Sequence, residues 1–205
     1  MIKAIIFDWD GVVVDSMPIL AKGVQETAAS YGVTVSIDDI VENYIQPREA
    51  YYKTLGIDVS DLDELNRRHW DAIHKHREIP PLFPETKDVL EVLVSKGYVL
   101  AIASTQERDF IIEQLNLFNI KHLFTDELIV ADEASKEDKL RIVISRINLP
   151  KDNLLYVGDL PSDITAARNV GIHAAGIERR ESARARLAIL QPDYIFASLK
   201  DLESI

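Results

Sequence analysis

The sequence predicts an α/β protein built on a doubly wound parallel sheet, with a small α-helical cap domain inserted after the first strand. Three observations lead there. Short, unbroken apolar runs recur along the chain, as suits strands buried on both faces of a parallel sheet. Stretches of helical periodicity lie between most of these runs, and that alternation belongs to a sheet covered by helices. One segment, residues 17–80, breaks the alternation with helix signals and no strand of comparable quality. A connection of that length between adjacent parallel strands is rare, so an inserted domain is expected.

The elements follow in order. The first strand is residues 3–7, which ends abruptly in Asp8-Trp9-Asp10-Gly11. In the insert, Ser16 stands where it can cap a helix with Pro18 near its first position, running to Tyr31 and stopped by Gly32. Helices are expected over 38–44, 47–55 and 60–77, the last opened by Ser60 and Asp63 as a capping box. Pro80, Pro81 and Pro84 make a stiff exit. The alternative is that these helices pack directly on the sheet. Beyond the insert come a helix over 84–96 closed by Gly97, a strand over 99–103 and a helix over 107–116. A weak apolar pair follows at Leu123-Phe124, then a helix over 135–147 with Ser135 and Asp138 as its capping box. A strand over 154–158, a helix over 161–170 closed by Gly171, and weaker strands at 172–175 and 194–196 complete the pattern. The domain boundaries are therefore 1–16 with 81–205 for the α/β core, and 17–80 for the cap.

Composition bounds the function. With 205 residues, 47% hydrophobic and 28% charged, the chain is long enough for a sizeable core and ordinary for a globular protein. No apolar run approaches a bilayer span, and the N-terminus turns acidic too early for a signal peptide, so a soluble cytoplasmic protein is expected. The absence of cysteine excludes disulfides, thiolate catalysis and Cys-based zinc sites. A formal charge of -11 disfavours nucleic acid and anionic membrane as partners. A small phosphate substrate stays open, because local cations or a metal can reverse the field at one site.

Chemistry gathers at the strand ends, where open α/β sheets place their active sites. The first strand ends in Asp8 and Asp10, the second in Ser104-Thr105, and the strand over 154–158 in Gly158-Asp159, with Asp163 four residues on. One Asp at a strand end is commonly a cap or turn former. Several acids at one rim repel unless a cation joins them, and an all-oxygen set suits Mg²⁺.

Three segments carry a resemblance. Phe7-Asp8-Trp9-Asp10-Gly11-Val12-Val13-Val14-Asp15-Ser16 resembles the first motif of the haloacid dehalogenase-like superfamily in its phosphatase form. Ala103-Ser104-Thr105 resembles the second motif, and Gly158-Asp159-Leu160-Pro161-Ser162-Asp163 the fourth. Their order, their places at strand ends and the helical insert between the first two match the branch with phosphoglycolate phosphatases and β-phosphoglucomutases. The third motif of that branch, a Lys often followed by Pro, is altered here and leaves Lys136 and Lys139 as candidates. Lys136 sits in the first turn of its helix, where a cation opposes the macrodipole by ~0.3–1 kcal/mol, a placement that invites a functional reason. Lys139 reads as a solvated face.

The resemblance implies roles. Asp8 would attack phosphorus and form an aspartyl-phosphate; Asp10 would protonate the leaving alcohol and then activate water. Mg²⁺ would be held by Asp8, the Asp10 carbonyl and Asp159, with Asp163 ordering the shell. Ser104, Lys136, Thr105 and the N–H groups following Asp8, beginning at Trp9, would hold the phosphoryl oxygens. Arg48 in the cap would grip the organic part of the substrate. The implied enzyme is a phosphatase of a small phosphorylated metabolite, monomeric or a weak homodimer. A phosphomutase of the β-phosphoglucomutase type and a non-catalytic binding protein are the alternatives. An acid at Asp10 argues against C–halogen chemistry, which lacks one there. His69, His74 and His76 read as solvated helix surface, Trp70 as insert core, and Arg184 and Arg186 as exposed.

Overall fold

A computed structural model of the chain describes residues 1–45, 47–76, 78–131 and 135–205. Of the positions singled out above, Gln46 beside the Arg48 turn and Arg77 at a helix end lie outside the described residues. The chain divides into two compact units, Met1–Asp15 with Pro81–Ile205, and Ser16–Pro80.

The larger unit is a six-stranded, all-parallel sheet: β1 (Ala4–Phe7), β2 (Val99–Ala103), β3 (Ile129–Val130), β4 (Leu154–Gly158), β5 (His173–Ile177) and β6 (Tyr194–Phe196), in the order β3-β2-β1-β4-β5-β6. β1 is central, with Phe7 opposite Ile102 on one side and Val157 on the other. The residues that follow, Asp8, Ser104 and Asp159, therefore emerge from adjacent strand ends. Alternation along β1 feeds two cores. Ile5 and Phe7 pack with Ile102, Leu155 and Val157 beneath helices α5 (Thr86–Ser95) and α6 (Arg108–Leu117). Ala4 and Ile6 pack with Tyr156 beneath α7 (Lys136–Ile147) and α8 (Pro161–Val170) on the other face. Both faces are covered, which is why these strands read as continuous apolar runs.

Two sequence expectations shift here. Leu123-Phe124 is not a strand: Lys121–Leu123 forms a 3₁₀ turn, Phe124 joins the first core from outside the sheet, and the edge strand is Ile129–Val130. Lys139 is not solvated but buried, because it shares with Leu140 and Val143 the side of α7 that packs on β2 and β3.

The smaller unit holds α1 (Met17–Ser30), α2 (Ile37–Asn43), α3 (Arg48–Thr54) and α4 (Leu62–Lys75) around Ala21, Val24, Ile40, Tyr52 and Leu65. The N-cap of α4 is Asp61, whose carboxylate accepts the Glu64 N–H at 3.0 Å, while Ser60 turns back to Asp58. Ser16 takes the N-cap position of α1 without a side-chain capping bond. Two aromatic expectations are corrected. His69 is buried and bonded to the Tyr52 hydroxyl at 2.8 Å, and Trp70 is 47% exposed, while His76 lies part-exposed and pairs with Glu26 at 2.7 Å. The hydroxyl explains the first: a histidine with a polar partner can be buried where solvation had been expected.

Candidate active site

The site is built on the turn that follows β1. The carbonyl of Trp9 accepts the N–H groups of Val13 at 2.9 Å and Val14 at 3.2 Å, and Gly11 donates to Val14 at 3.0 Å. Gly11 adopts φ +72°, and a Cβ there would strike the Asp159 carboxylate. Glycine thus serves both the left-handed backbone and the close approach. Gly158 meets a matching constraint, since a Cβ would run into the side chain of Asp163.

Asp8 is 6% exposed. Its Oδ1 accepts the Trp9 N–H at 2.7 Å and its Oδ2 accepts the Lys136 ammonium at 2.8 Å. Lys136 also donates to Asp163 Oδ1. The other oxygen of Asp163 accepts the Leu160 N–H at 2.9 Å, which pins the first turn of α8. Asp8, Asp159 and Asp163 each offer an oxygen within 4.8 Å of the others.

Three carboxylates, two of them buried, gathered near one ammonium leave an excess of negative charge. Burial, then the charges of Asp163 and Asp8, push the Asp159 carboxyl well above its ordinary range. Burial and the Asp8 charge likewise raise Asp163 against the pull of Lys136. Burial alone would lower Lys136, but Asp8 and Asp163 outweigh it and hold the ammonium charged. A divalent cation would reverse the carboxylate shifts, and an all-oxygen donor set of this size fits one.

The remaining sequence candidates fall into three groups. Ser104 is buried at the end of β2, where its hydroxyl accepts the Gln106 N–H at 3.1 Å. Thr105 is exposed on the same loop. Asp10 is half-buried, with the Gln106 amide 3.5 Å from its Oδ2. The Trp9 side chain is fully buried, its indole N–H donating to Gln114 Oε1 at 3.0 Å, so only its backbone can face a ligand. Arg48 belongs to the smaller unit. There its guanidinium lies 4.9 Å from the centre of the Trp70 ring, and its buried Nη1 has no hydrogen-bond partner among the described residues.

Gln106 and Tyr156, both at this rim, have no place among the sequence candidates. Gln106 carries no motif signal. Tyr156, buried within β4, donates to the Ala103 carbonyl at 3.2 Å and lies 3.5 Å from Asp163. Its place two residues before Gly158 carries only a strand signal in the sequence.

This arrangement defines a hydrolase of a known class. The profile of the haloacid dehalogenase-like hydrolase family matches residues 5–177, and the chain belongs to that family. Curated relatives of the chain include proteins named as phosphatases. A phosphoglycolate phosphatase of Vibrio parahaemolyticus is 26% identical, the match covering 98% of this chain and 94% of that protein. Pyrophosphatase PpaX of Bacillus velezensis is 27% identical with the same two coverages. Among solved structures, a haloacid dehalogenase-like family protein of Streptococcus pneumoniae shares the fold at a TM-score of 0.79. It is 24% identical, with 99% of this chain and 97% of that one covered. The chain is thus a phosphatase-type enzyme of the family. None of its described helices is long and apolar enough to cross a membrane.

Proposed function

We propose that this chain is a cytoplasmic, Mg²⁺-dependent phosphatase that hydrolyses a small phosphomonoester, of phosphoglycolate or sugar-phosphate type, through an aspartyl-phosphate on Asp8. The observation that carries the reading is the meeting of Asp8, Asp159, Asp163 and Lys136 at neighbouring strand ends.

Asp8 is held at both oxygens, by the Trp9 N–H and by Lys136, so its carboxylate is oriented before substrate arrives. It attacks phosphorus; the ester P–O bond breaks and Asp10 gives its proton to the departing oxygen. Asp10 then takes a proton from the water that attacks phosphorus, releasing inorganic phosphate and restoring the Asp8 carboxylate. Lys136, the Ser104 hydroxyl and main-chain N–H groups after Asp8 bind the phosphoryl oxygens, with Thr105 at the edge of that cradle. Asp8, Asp159 and the Asp10 carbonyl would hold Mg²⁺, with Asp163 ordering its shell, and the bound ion would supply charge neutralisation at the phosphoryl group. Arg48 is the proposed reader of the organic part of the substrate, supported by a buried Nη1 that has no hydrogen-bond partner among the described residues.

The test is phosphate release across about a hundred phosphorylated metabolites, since function resides in the site rather than the fold. Pyrophosphate is included because one relative carries that activity in its name. Sustained release from phosphomonoesters, lost with EDTA and restored by Mg²⁺, is expected. Release from pyrophosphate alone would contradict the substrate class. A phosphomutase would isomerise its substrate without sustained release, and no turnover of either kind would contradict the enzyme reading.

A further inference from the structure

We propose that Arg179 is a positioning residue for the general acid, acting through the turn that carries Asp10. The inference rests on the phosphatase reading above. Arg179 follows β5 and Glu178, at the same rim of the sheet as the carboxylates. Its Nη1 donates to the Gly11 carbonyl at 3.1 Å, and its Nη2 lies 3.4 Å from the Val12 carbonyl and 3.1 Å from Glu85 Oε1. The guanidinium also stacks on Phe83, 3.3 Å from the ring centre.

Both the anchor and the backbone that carries Arg179 are fixed in turn. Glu85 Oε1 also accepts the Ser198 hydroxyl at 3.0 Å, which ties the anchor to the region after β6. Arg184 donates to the carbonyls of Glu178 at 2.9 Å and Arg179 at 3.4 Å, holding the backbone from which Arg179 projects. Arg184 therefore has a structural task and is not merely exposed.

The two carbonyls that Arg179 grips are those immediately after Asp10. Gly11 also lies against the Asp159 carboxylate with no room for a Cβ. The turn is thus held by a guanidinium and packed against a carboxylate. The position of Asp10 relative to Asp8 follows from that hold, because only Trp9 separates them. A planar guanidinium suits the task, as one group can serve two carbonyls and a carboxylate together. With both Nη groups bonded inside the protein, Arg179 acts through Asp10 and not on substrate.

The consequence is kinetic. A misplaced general acid matters most when the leaving group is basic and least when it departs readily as an anion. Phenyl phosphate and p-nitrophenyl phosphate have nearly the same shape and differ in that property. Arg179→Ala should therefore lower kcat/KM on phenyl phosphate at least about tenfold more than on p-nitrophenyl phosphate, a share of the 10²–10⁴ typical of acid–base catalysis. Asp10→Asn should show the same skew, and Arg179→Ala should add little skew in that background, as expected of coupled residues. Arg179→Lys, read the same way, keeps the charge but cannot serve both carbonyls, and it takes the place of the alanine variant if that one does not fold. An equal loss on both substrates, or an additive skew with Asp10→Asn, would overturn the inference. A wild-type enzyme that releases phosphate from neither compound nor from any metabolite of the screen would instead overturn the phosphatase reading beneath it.

Discussion

The ammonium of Lys136 lies 2.8 Å from Oδ2 of Asp8, two residues 128 positions apart in the chain. The same ammonium reaches Asp163, so one cation joins the first strand end to the first turn of α8. At its own helix end the charge is unfavourable. Two buried carboxylates supply the compensation.

Lys136→Ala should therefore reduce turnover on the order of 10²-fold or more, the usual effect of removing a charged contact to a transferring group. Lys139 separates the roles. Because it is buried against the sheet, Lys139→Ala should lower stability by about 1–3 kcal/mol, as for a disrupted buried polar group, with kcat little changed. Steady-state kinetics beside thermal melting check both. A larger rate loss at Lys139 would transfer the phosphate-binding role to it.

Arg48→Ala should lower kcat/KM on the best natural substrate by at least about tenfold, equivalent to ~1.4 kcal/mol. p-Nitrophenyl phosphate, which offers no second anion to grip, should be hydrolysed nearly as before. Parallel losses on the two would point to damage in the smaller unit, where Arg48 stacks on Trp70. No loss on either would leave Arg48 without a role in specificity.

His69 should make the smaller unit acid-sensitive. Burial, followed by the charge of Arg48, pushes its imidazole down to about 4. Between the ordinary histidine value of about 6.5 and that value, the unfolded chain binds a proton that the folded chain refuses. Stability from this residue is thus complete above the upper value and falls as the pH drops through the interval. The loss amounts to about 3 kcal/mol at the lower end. Urea unfolding at pH 7 and pH 4.5 measures it, and His69→Gln should flatten the dependence even though it costs the Tyr52 bond. An unchanged pH slope in the variant would assign acid sensitivity elsewhere.

Much of the core was legible because its signals are local. An apolar run cut off by Asp8, or Gly158-Asp159 closing a strand, needs no knowledge of the rest of the chain. Asp8, Asp159 and Asp163 could be nominated from strand ends alone, and the parallel order of the sheet brings them together. The failures depend on distant partners. His69 is buried because a hydroxyl 17 residues earlier satisfies it, and Trp70 remains partly exposed beneath a guanidinium from another helix. Ile129–Val130 is too short to show a period, so the neighbouring Leu123-Phe124 pair drew the assignment. Arg179 lies in a charged run that reads as surface, and its target, Gly11, is 168 positions away.

The central claim is that Asp8 is the nucleophile, and Asp8→Asn tests it most directly. An amide cannot form the aspartyl-phosphate, while its size preserves the packing around Trp9 and Lys136. With Mg²⁺ and the best phosphomonoester from the screen, the variant should be folded, with a melting curve close to that of wild type, and phosphate release should be abolished. A purified Asp8→Asn protein that still releases phosphate within tenfold of the wild-type rate, with contaminating phosphatase excluded, would contradict the account.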